Sequence, residues 1–304
     1  MFEKLFSERG LSLDRMRVLV EVHDAGSIAQ AAPGDPIRQS QYSRQLRELS
    51  EFFGCEVAQR QGKLLKLTEH GRKLADLARS HLRSLEDFRA ECRTECPDYT
   101  IAAGDSILHW LVIPRLGTLA GSKPAVRFAT TSLRTNDVVQ QLADGRVDFG
   151  VIRQDALVDG LESAPLGELT YVAVVPKALV GRGKTPTLKD VLGGLPLAAQ
   201  TADGQFTQRL RQIASDLQVE IEPALACQSF PQTLSAVRAG GFAAILPTLA
   251  LDDLPAGSHV LVKADPLKQL TRKLALVWSR RSTHVRPTAT PLAQRLVKIF
   301  KIER

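Results

Sequence analysis

Near the N-terminus, polar and apolar positions recur at helical spacing. The positions i, i+3, i+4 and i+7 are occupied by Met16, Leu19, Val20 and His23. This pattern predicts an amphipathic helix over about 13–24. Gly26 ends this helix, and the hydroxyl of Ser27 is suited to cap a second, short helix of small residues.

Two prolines separate the second helix from a third. Pro33 lacks the N–H that a helix interior needs and disfavours helical geometry at the residue before it, so the second helix should stop there. Asp35 is a suitable N-cap, and Pro36 suits the first helical position. The third helix is therefore predicted to run from about 36 to Phe53.

The third helix has an apolar face and a polar face. Spacings of four, three and four predict one buried stripe of Tyr42, Leu46, Leu49 and Phe53. The opposite face carries Ser40, Gln41, Ser43, Arg44 and Arg47. Arginine suits guanine and phosphate, glutamine suits adenine, and short hydroxyls permit close approach to a duplex. Taken alone, such a face is more often a solvated surface than a DNA-reading one.

A basic hairpin follows the third helix. The sequence after Gly54 predicts two short strands around Gly62, with Arg60, Lys63 and Lys66 on or beside the turn. A solvated basic hairpin would have the same pattern. The order of helix, short helix, polar helix and basic hairpin is more specific than any one of these elements.

Residues 13–73 closely resemble the winged helix-turn-helix of LysR-type transcriptional regulators. The resemblance rests on "LDRMRVLVEVHDAGSIAQAA", "IRQSQYSRQLRELSEFFG" and "RQGKLLKLTEHG", which follow one another in the family's order. Arg38 stands where the family usually has a capping serine or threonine. The resemblance implies DNA-facing helix positions at Ser27, Gln39, Ser40, Gln41, Ser43 and Arg44, beside Arg47 of the polar face. It also implies that Arg60 and Lys63 lie at the wing.

A long helix is predicted next, because small or apolar residues recur every three or four positions. They are Leu74, Ala78, Leu82, Leu85, Phe88 and Cys92. This apolar seam could dock on its own domain. In the LysR-type family the segment is a linker helix that pairs antiparallel in a dimer. The resemblance thus implies a homodimer or homotetramer that binds two half-sites of double-stranded promoter or operator DNA.

After Pro97, short β-branched runs alternate with helical stretches, which is typical of an α/β domain. Segments such as "YTIAAGDSILHWLVIPRL" and "GGFAAILPTLAL" resemble the family's effector domain of periplasmic-binding-protein type. The expected fold class is α/β with an N-terminal winged helix-turn-helix, a linker helix and a two-lobed periplasmic-binding-protein-like effector domain. The expected domains are 1–70, 71–96 and 97–304, with lobe I at 97–171 and 270–304 and lobe II at 172–269.

Several short polar residues follow strand-like runs, where helix N-termini favour anions. As a set that the resemblance aligns with the family's cleft positions, the candidate effector-binding residues are Ser106, Thr131, Ser132, Thr201 and Ser229, with Phe206 and Phe230 as an apolar wall. Each hydroxyl could be only an N-cap or turn residue, and each phenylalanine could be core. A small carboxylate or another compact anion is the expected effector.

Charge and composition add little beyond this. The chain has a formal net charge of +7, and residues 36–73 carry eight basic against four acidic residues, a local net of +4. This excess fits an acidic partner such as nucleic acid. The four scattered cysteines indicate reduced thiols rather than a zinc site, and no secretory signal or transmembrane run is expected.

The residues and the resemblance to the LysR-type family together predict a cytoplasmic, sequence-specific transcriptional regulator controlled by a small-molecule effector between two lobes. Neither an HExxH spacing, a GxSxG elbow nor a phosphate-binding loop of the GxxxxGK[ST] type occurs, so no catalytic residue, metal or cofactor is expected. The alternative is a solute-binding protein or an enzyme built on the α/β module, with an accessory DNA-binding domain.

Overall fold

A computed structural model describes residues 2–7, 9–62, 64–93, 95–119, 126–181, 184–200, 204–280, 283, 286 and 288–302. Lys63 and Thr201, both expected in binding sites, lie outside these ranges. The chain divides into two compact units. The first comprises Met1–Asp98, Ala143–Arg146 and Ser279–Thr290, and the second comprises Tyr99–Leu142, Val147–Trp278 and Pro291–Arg304.

The first unit begins with helices and a hairpin. The helices are α1 (Glu3–Phe6), α2 (Leu13–Ala25), α3 (Ile28–Ala31), α4 (Pro36–Phe53) and α5 (Glu69–Cys92). The hairpin pairs β1 (Ala58–Gln61) with antiparallel β2 (Leu64–Leu67). These bounds confirm the predicted ends of the short helix and of the polar helix after it.

Side-chain caps and prolines determine where the helices begin. At the starts of α2 to α5, the cap accepts a hydrogen bond from the backbone N–H three residues on, in the order Ser12, Ser27, Asp35 and Thr68. Pro36 occupies the first turn of α4, where its missing N–H costs nothing. Gly54 ends α4 with a φ of 65°, a left-handed conformation that glycine adopts without steric cost.

One apolar core joins α2 to α5 and the hairpin. Its most deeply buried members include Leu19, Leu46, Leu49, Val57 and Ala75. The prediction that Phe53 continues the buried stripe of α4 is wrong, since this side chain is 37% exposed. The physical reason is local: α4 ends at Gly54, and the neighbouring Phe52 packs against Gly10 instead.

Two buried arginines fix α5 within the first unit. Arg79 donates to both carboxylate oxygens of Asp24, at 2.8 and 2.5 Å, and to the carbonyl of Asp144. Arg286 donates to both oxygens of Asp87, at 2.5 and 2.7 Å. Removing one member of such a pair typically costs about 3–5 kcal/mol, because the other is left as an uncompensated buried charge.

The second unit is α/β. The first residue of its first strand, Asp98, and the last residue of its last strand, Ser279, are assigned to the first unit. The strands are β3 (Asp98–Ala103), β4 (Arg127–Ser132), β5 (Phe149–Arg153), β6 (Leu161–Leu169), β7 (Tyr171–Pro176), β8 (Ala198–Gln200), β9 (Leu225–Cys227), β10 (Ala244–Pro247), β11 (His259–Val262) and β12 (Arg272–Ser279). The α-helices are α6 (Asp105–Ile107), α7 (Ile113–Leu116), α8 (Thr135–Ala143), α9 (Leu188–Gly193), α10 (Gln205–Asp216), α11 (Phe230–Arg238) and α12 (Ala289–Phe300).

These strands form separate sheets within the described residues. One has the order β4-β3-β5-β12-β6, another has the order β10-β7-β11, and β8 pairs with β9. A parallel bridge between Leu197 and Ala243 connects the β8 and β10 segments. The chain changes sheet at Thr170 and again between Leu270 and Arg272, so Tyr171, the last residue expected in lobe I, already belongs to the three-stranded sheet.

Candidate DNA-binding face and ligand cleft

The polar face of α4 is exposed along its length. Ser40, Gln41, Ser43, Arg44 and Arg47 all project to solvent. Arg44 donates from Nε to Glu48 at 2.9 Å, and Glu48 also accepts from Nε of Arg15 at 2.6 Å. Hydrogen bonds from Arg15 and then from Arg44 hold the pKa of Glu48 below its ordinary value. This carboxylate therefore pairs with Arg44 at the exposed face.

Two of the expected DNA-facing residues have structural roles. Ser27 is fully buried, and its hydroxyl caps α3 and donates to Oε1 of Gln30 at 2.8 Å. Its expected direct contact with DNA is corrected on this ground. Gln39 is half-buried and donates from Nε2 to the carbonyl of Ala32 at 2.7 Å. That hydrogen bond closes the turn before α4.

Arg38, which departs from the family pattern, belongs to a polar network at the start of α4. Its Nε donates to the hydroxyl of Tyr42 at 2.8 Å, and its guanidinium lies 3.5 Å from Glu21. Tyr42 in turn donates to Glu21. Burial raises the pKa of Tyr42, which keeps its hydroxyl protonated as a donor. The network anchors the first turns of α4 to α2.

Sequence reasoning did not single out one further exposed side chain on this face, that of Ile37. It is 74% exposed at the start of α4. Gln41 and Arg44 lie four and seven residues further on, so the three share one side of the helix. An exposed large apolar residue among polar neighbours was the available signal.

The hairpin is described except for Lys63, and α5 is described over its whole length. Arg60 is exposed on β1, and Lys66 is half-buried on β2. On α5 the seam divides: Ala78 is buried in the first unit, whereas Leu85 and Phe88 are exposed, Phe88 by 64%. The beginning of the seam thus packs on its own domain, and the later part presents apolar side chains to solvent.

A cleft of about 600 Å³ lies within the second unit. It brings together five of the seven candidate effector residues, namely Ser106, Ser132, Phe206, Ser229 and Phe230. Thr131 is not among the lining residues, because successive side chains of a strand point to opposite faces and Ser132 points to the cleft. The expected contact of Thr131 with a ligand is corrected accordingly.

The candidate effector residues also hold the cleft together. The hydroxyl of Ser229 caps α11 by accepting from the N–H of Gln232. The rings of Phe206 and Phe230 meet edge to face at a centroid distance of 4.9 Å, and Tyr171 lies 5.1 Å from Phe206. These buried rings form a rigid apolar wall beside polar groups.

Three arginines that sequence reasoning did not single out also line the cleft. They are Arg134, Arg153 and Arg272. Arg272 is half-buried beside the hydroxyl of Tyr171. Burial is the largest cause of the lowered pKa of Arg272, and the charges of Arg153 and Arg209 add to it. The cleft is therefore electropositive on the side of the five-stranded sheet.

Other kinds of site find no support in the described part of the chain. Searching it gives no group of three or more His, Cys, Asp or Glu side chains able to hold a metal ion. All four cysteines are free. Within the same residues, no helix is both long enough and apolar enough to cross a membrane.

Comparison with known proteins gives family matches for both parts of the chain. Residues 13–72 match the model of the bacterial regulatory helix-turn-helix protein, lysR family, and residues 94–300 match that of the LysR substrate binding domain. A probable nitrogen assimilation transcriptional activator from Synechococcus elongatus is 25% identical over 291 residues, covering 88% of each chain.

Solved structures share the fold. A full-length OxyR variant from Pseudomonas aeruginosa has a TM-score of 0.68 at 15% identity, covering 97% of this chain and 96% of its own. Full-length LysG from Corynebacterium glutamicum, solved with its effector arginine, has a TM-score of 0.64 at 20% identity, covering 95% and 98%. These likenesses confirm the expected fold class. Because the substrate-domain model alone matches more than half of the sequence, the chain belongs to the LysR family of bacterial regulatory proteins.

Proposed function

We propose that the protein is a sequence-specific DNA-binding transcriptional regulator of the cytoplasm, controlled by a small molecule bound in the cleft of the second unit. The exposed polar face of α4, inside the segment that matches the family's helix-turn-helix, carries this proposal. The relative from Synechococcus elongatus, which aligns with 88% of the chain, is itself named as a probable transcriptional activator. We expect no catalytic activity and no cofactor.

The proposed base and phosphate contacts follow from side-chain chemistry. We expect exposed Gln41 to read adenine, and exposed Arg44 to read guanine or to bind phosphate. Ser40, Ser43 and Arg47 can donate to the backbone beside the groove. Arg60 and Lys63 of the wing would add phosphate contacts, which carry affinity but no sequence information.

The proposed control is a shift between two assembly geometries. A ligand changes DNA binding only if it binds one geometry more tightly than the other. The solved structure of LysG with bound arginine supports a ligand-responsive module of this fold. Exposed Leu85 and Phe88 on α5 support pairing with a second copy, as a homodimer or homotetramer.

The decisive test is binding of the purified protein to promoter DNA from its own genomic neighbourhood, with excess nonspecific DNA as competitor. Arg44→Ala should weaken specific binding by about tenfold or more, since a good base contact contributes about 1–3 kcal/mol. Arg211→Ala, an exposed arginine on α10, is the matched control and should bind as the wild type does. Equal binding by the Arg44 variant and the wild type would contradict the proposed DNA-binding face.

A further inference from the structure

Two arginines on neighbouring strands share one face of the five-stranded sheet. Arg153 ends β5 and lies opposite Leu274 of the antiparallel strand β12. Arg272 is two residues from Leu274 on β12, so its side chain lies diagonally beside that of Arg153. Both side chains line the cleft.

The two guanidinium groups are incompletely neutralised by the described protein. Arg153 contacts Asp155 at 3.4 Å, near the limit of a hydrogen bond. Arg272 lies beside the neutral phenol of Tyr171, and no described carboxylate forms an ion pair with it. A buried cation is costly without a counter-charge, so this position is suited to an anionic group from outside the chain.

The rest of the cleft has the same sign. Among the described lining residues, three arginines face one acidic residue, Asp105, which leaves two positive charges in excess. The N-terminus of α10, a helix of 12 residues, also borders the cleft after Gly204 and has no side-chain cap. Uncapped N–H groups at a helix start carry partial positive charge.

We propose that the effector is a small organic dianion, with one acidic group bound between Arg153 and Arg272 and the second balancing the remaining charge of the lining. This inference rests on the proposed function, because it names the ligand class of the same cleft. Two adjacent planar guanidinium groups favour carboxylate or phosphate, whose oxygens accept two parallel hydrogen bonds. Phe206 and Phe230 would contact the apolar part of the ligand.

The test measures thermal stabilisation and calorimetric binding of the full-length protein with defined probes. Succinate and phthalate represent dicarboxylates, and phenyl phosphate represents phosphate esters. The control probes are butyrate, which carries one negative charge, and succinamide, which carries none. We expect at least one dianion to bind saturably and at least tenfold more tightly than butyrate, with the better class showing which acidic group is preferred.

Variants locate the site. Arg272→Gln and Arg153→Gln should each weaken binding of that dianion at least tenfold, whereas Arg211→Gln on the exposed side of α10 should not. Arg272→Lys keeps the charge but loses the planar fork, so it should bind with intermediate affinity. If Arg272→Gln does not fold, as judged by its melting curve, Arg153→Gln decides the outcome.

Two results would overturn the inference: saturable binding by none of the three dianions, or unchanged binding by the glutamine variants. Promoter binding by the same preparation separates this failure from that of the proposed function. Specific DNA binding without any dianion binding rejects the ligand class alone. Absence of specific DNA binding by the wild-type protein rejects the regulator.

Discussion

Glu48 has two arginine partners, and this matters for how α4 meets DNA. Arg15 donates to Glu48 from the side of α2, and Arg44 donates from the exposed face. When Arg44 turns toward a phosphate or base, Arg15 still pairs with the carboxylate. The rearrangement therefore leaves no uncompensated charge on the protein, and Arg44 is available at little cost.

Ile37 allows a prediction about base identity. Its exposed side chain precedes Gln41 by one helical turn, where an apolar group can contact the methyl group of thymine. Ile37→Ala should weaken binding to the promoter site about fivefold, because roughly 1 kcal/mol of apolar contact is lost. A gel-shift titration measures this loss.

The control for the Ile37→Ala experiment is a change in the DNA rather than in the protein. Replacing each thymine of the site in turn with deoxyuridine removes only the methyl group. At the contacted position, wild type and Ile37→Ala should bind the substituted duplex equally well. A loss of the same size on every substituted duplex would rule out the methyl contact.

Residues whose roles are decided locally were predictable from the sequence. Asp35 and Pro36 fix the start of α4 through one capping hydrogen bond and one missing donor, and both act within a few residues. Phe53 was not predictable in this way. Periodicity placed it on the buried face, but burial in the last turn depends on whether another element covers that turn.

At the level of elements, the close approach of the hairpin segment to α5 explains why the motif "LTEHG" ends in a glycine, Gly71. A Cβ at this position would lie 2.0 Å from the carbonyl oxygen of Val57, closer than any real contact. Thr68 strengthens the same junction by capping α5 and donating to the carbonyl of Glu56. The hairpin is thus packed directly on the first turn of α5.

Gly71→Ala should therefore destabilise the protein although alanine is the better helix former. We expect a loss of about 2–4 kcal/mol in the free energy of unfolding, of the size that overpacking and a displaced strand produce. Denaturant titration measures it. Gly117→Ala, where nothing lies within 4 Å of the added Cβ, should be neutral or slightly stabilising. Similar effects at both glycines would contradict the close approach at Gly71.

Some residues of the cleft were predictable from a single strand or helix, and others were not. Ser106, Ser132 and Ser229 were predictable because each lies at the end of a strand-like run or the start of a helix. Arg153 and Arg272 lie far apart in the sequence, and only the antiparallel register of β5 and β12 brings them together. That pairing has no local signal.

For the whole molecule, the exposed part of α5 predicts assembly. Phe88 is 64% exposed on a helix whose earlier turns bury one face, including Ala75 and Ala78, and burying Phe88 against a second copy would remove apolar area from water. Phe88→Glu should shift the protein from oligomer to monomer and reduce promoter affinity at least tenfold. Light scattering after size exclusion measures the mass.

Phe6→Glu provides the matched control, because Phe6 is also exposed but lies on α1, outside the seam. It should leave the oligomer and its DNA affinity unchanged. An unaltered mass for Phe88→Glu would contradict pairing through this helix.

The length of α5 has a geometric consequence for the operator. Its 24 residues span about 36 Å at 1.5 Å per residue. One turn of B-form DNA is about 34–36 Å long. In an antiparallel pair of these helices, the N-terminal ends that carry the two winged domains would stand about one helix length apart. The length of α5 would then set the distance between half-sites, so that both recognition helices enter major grooves on the same side of the duplex.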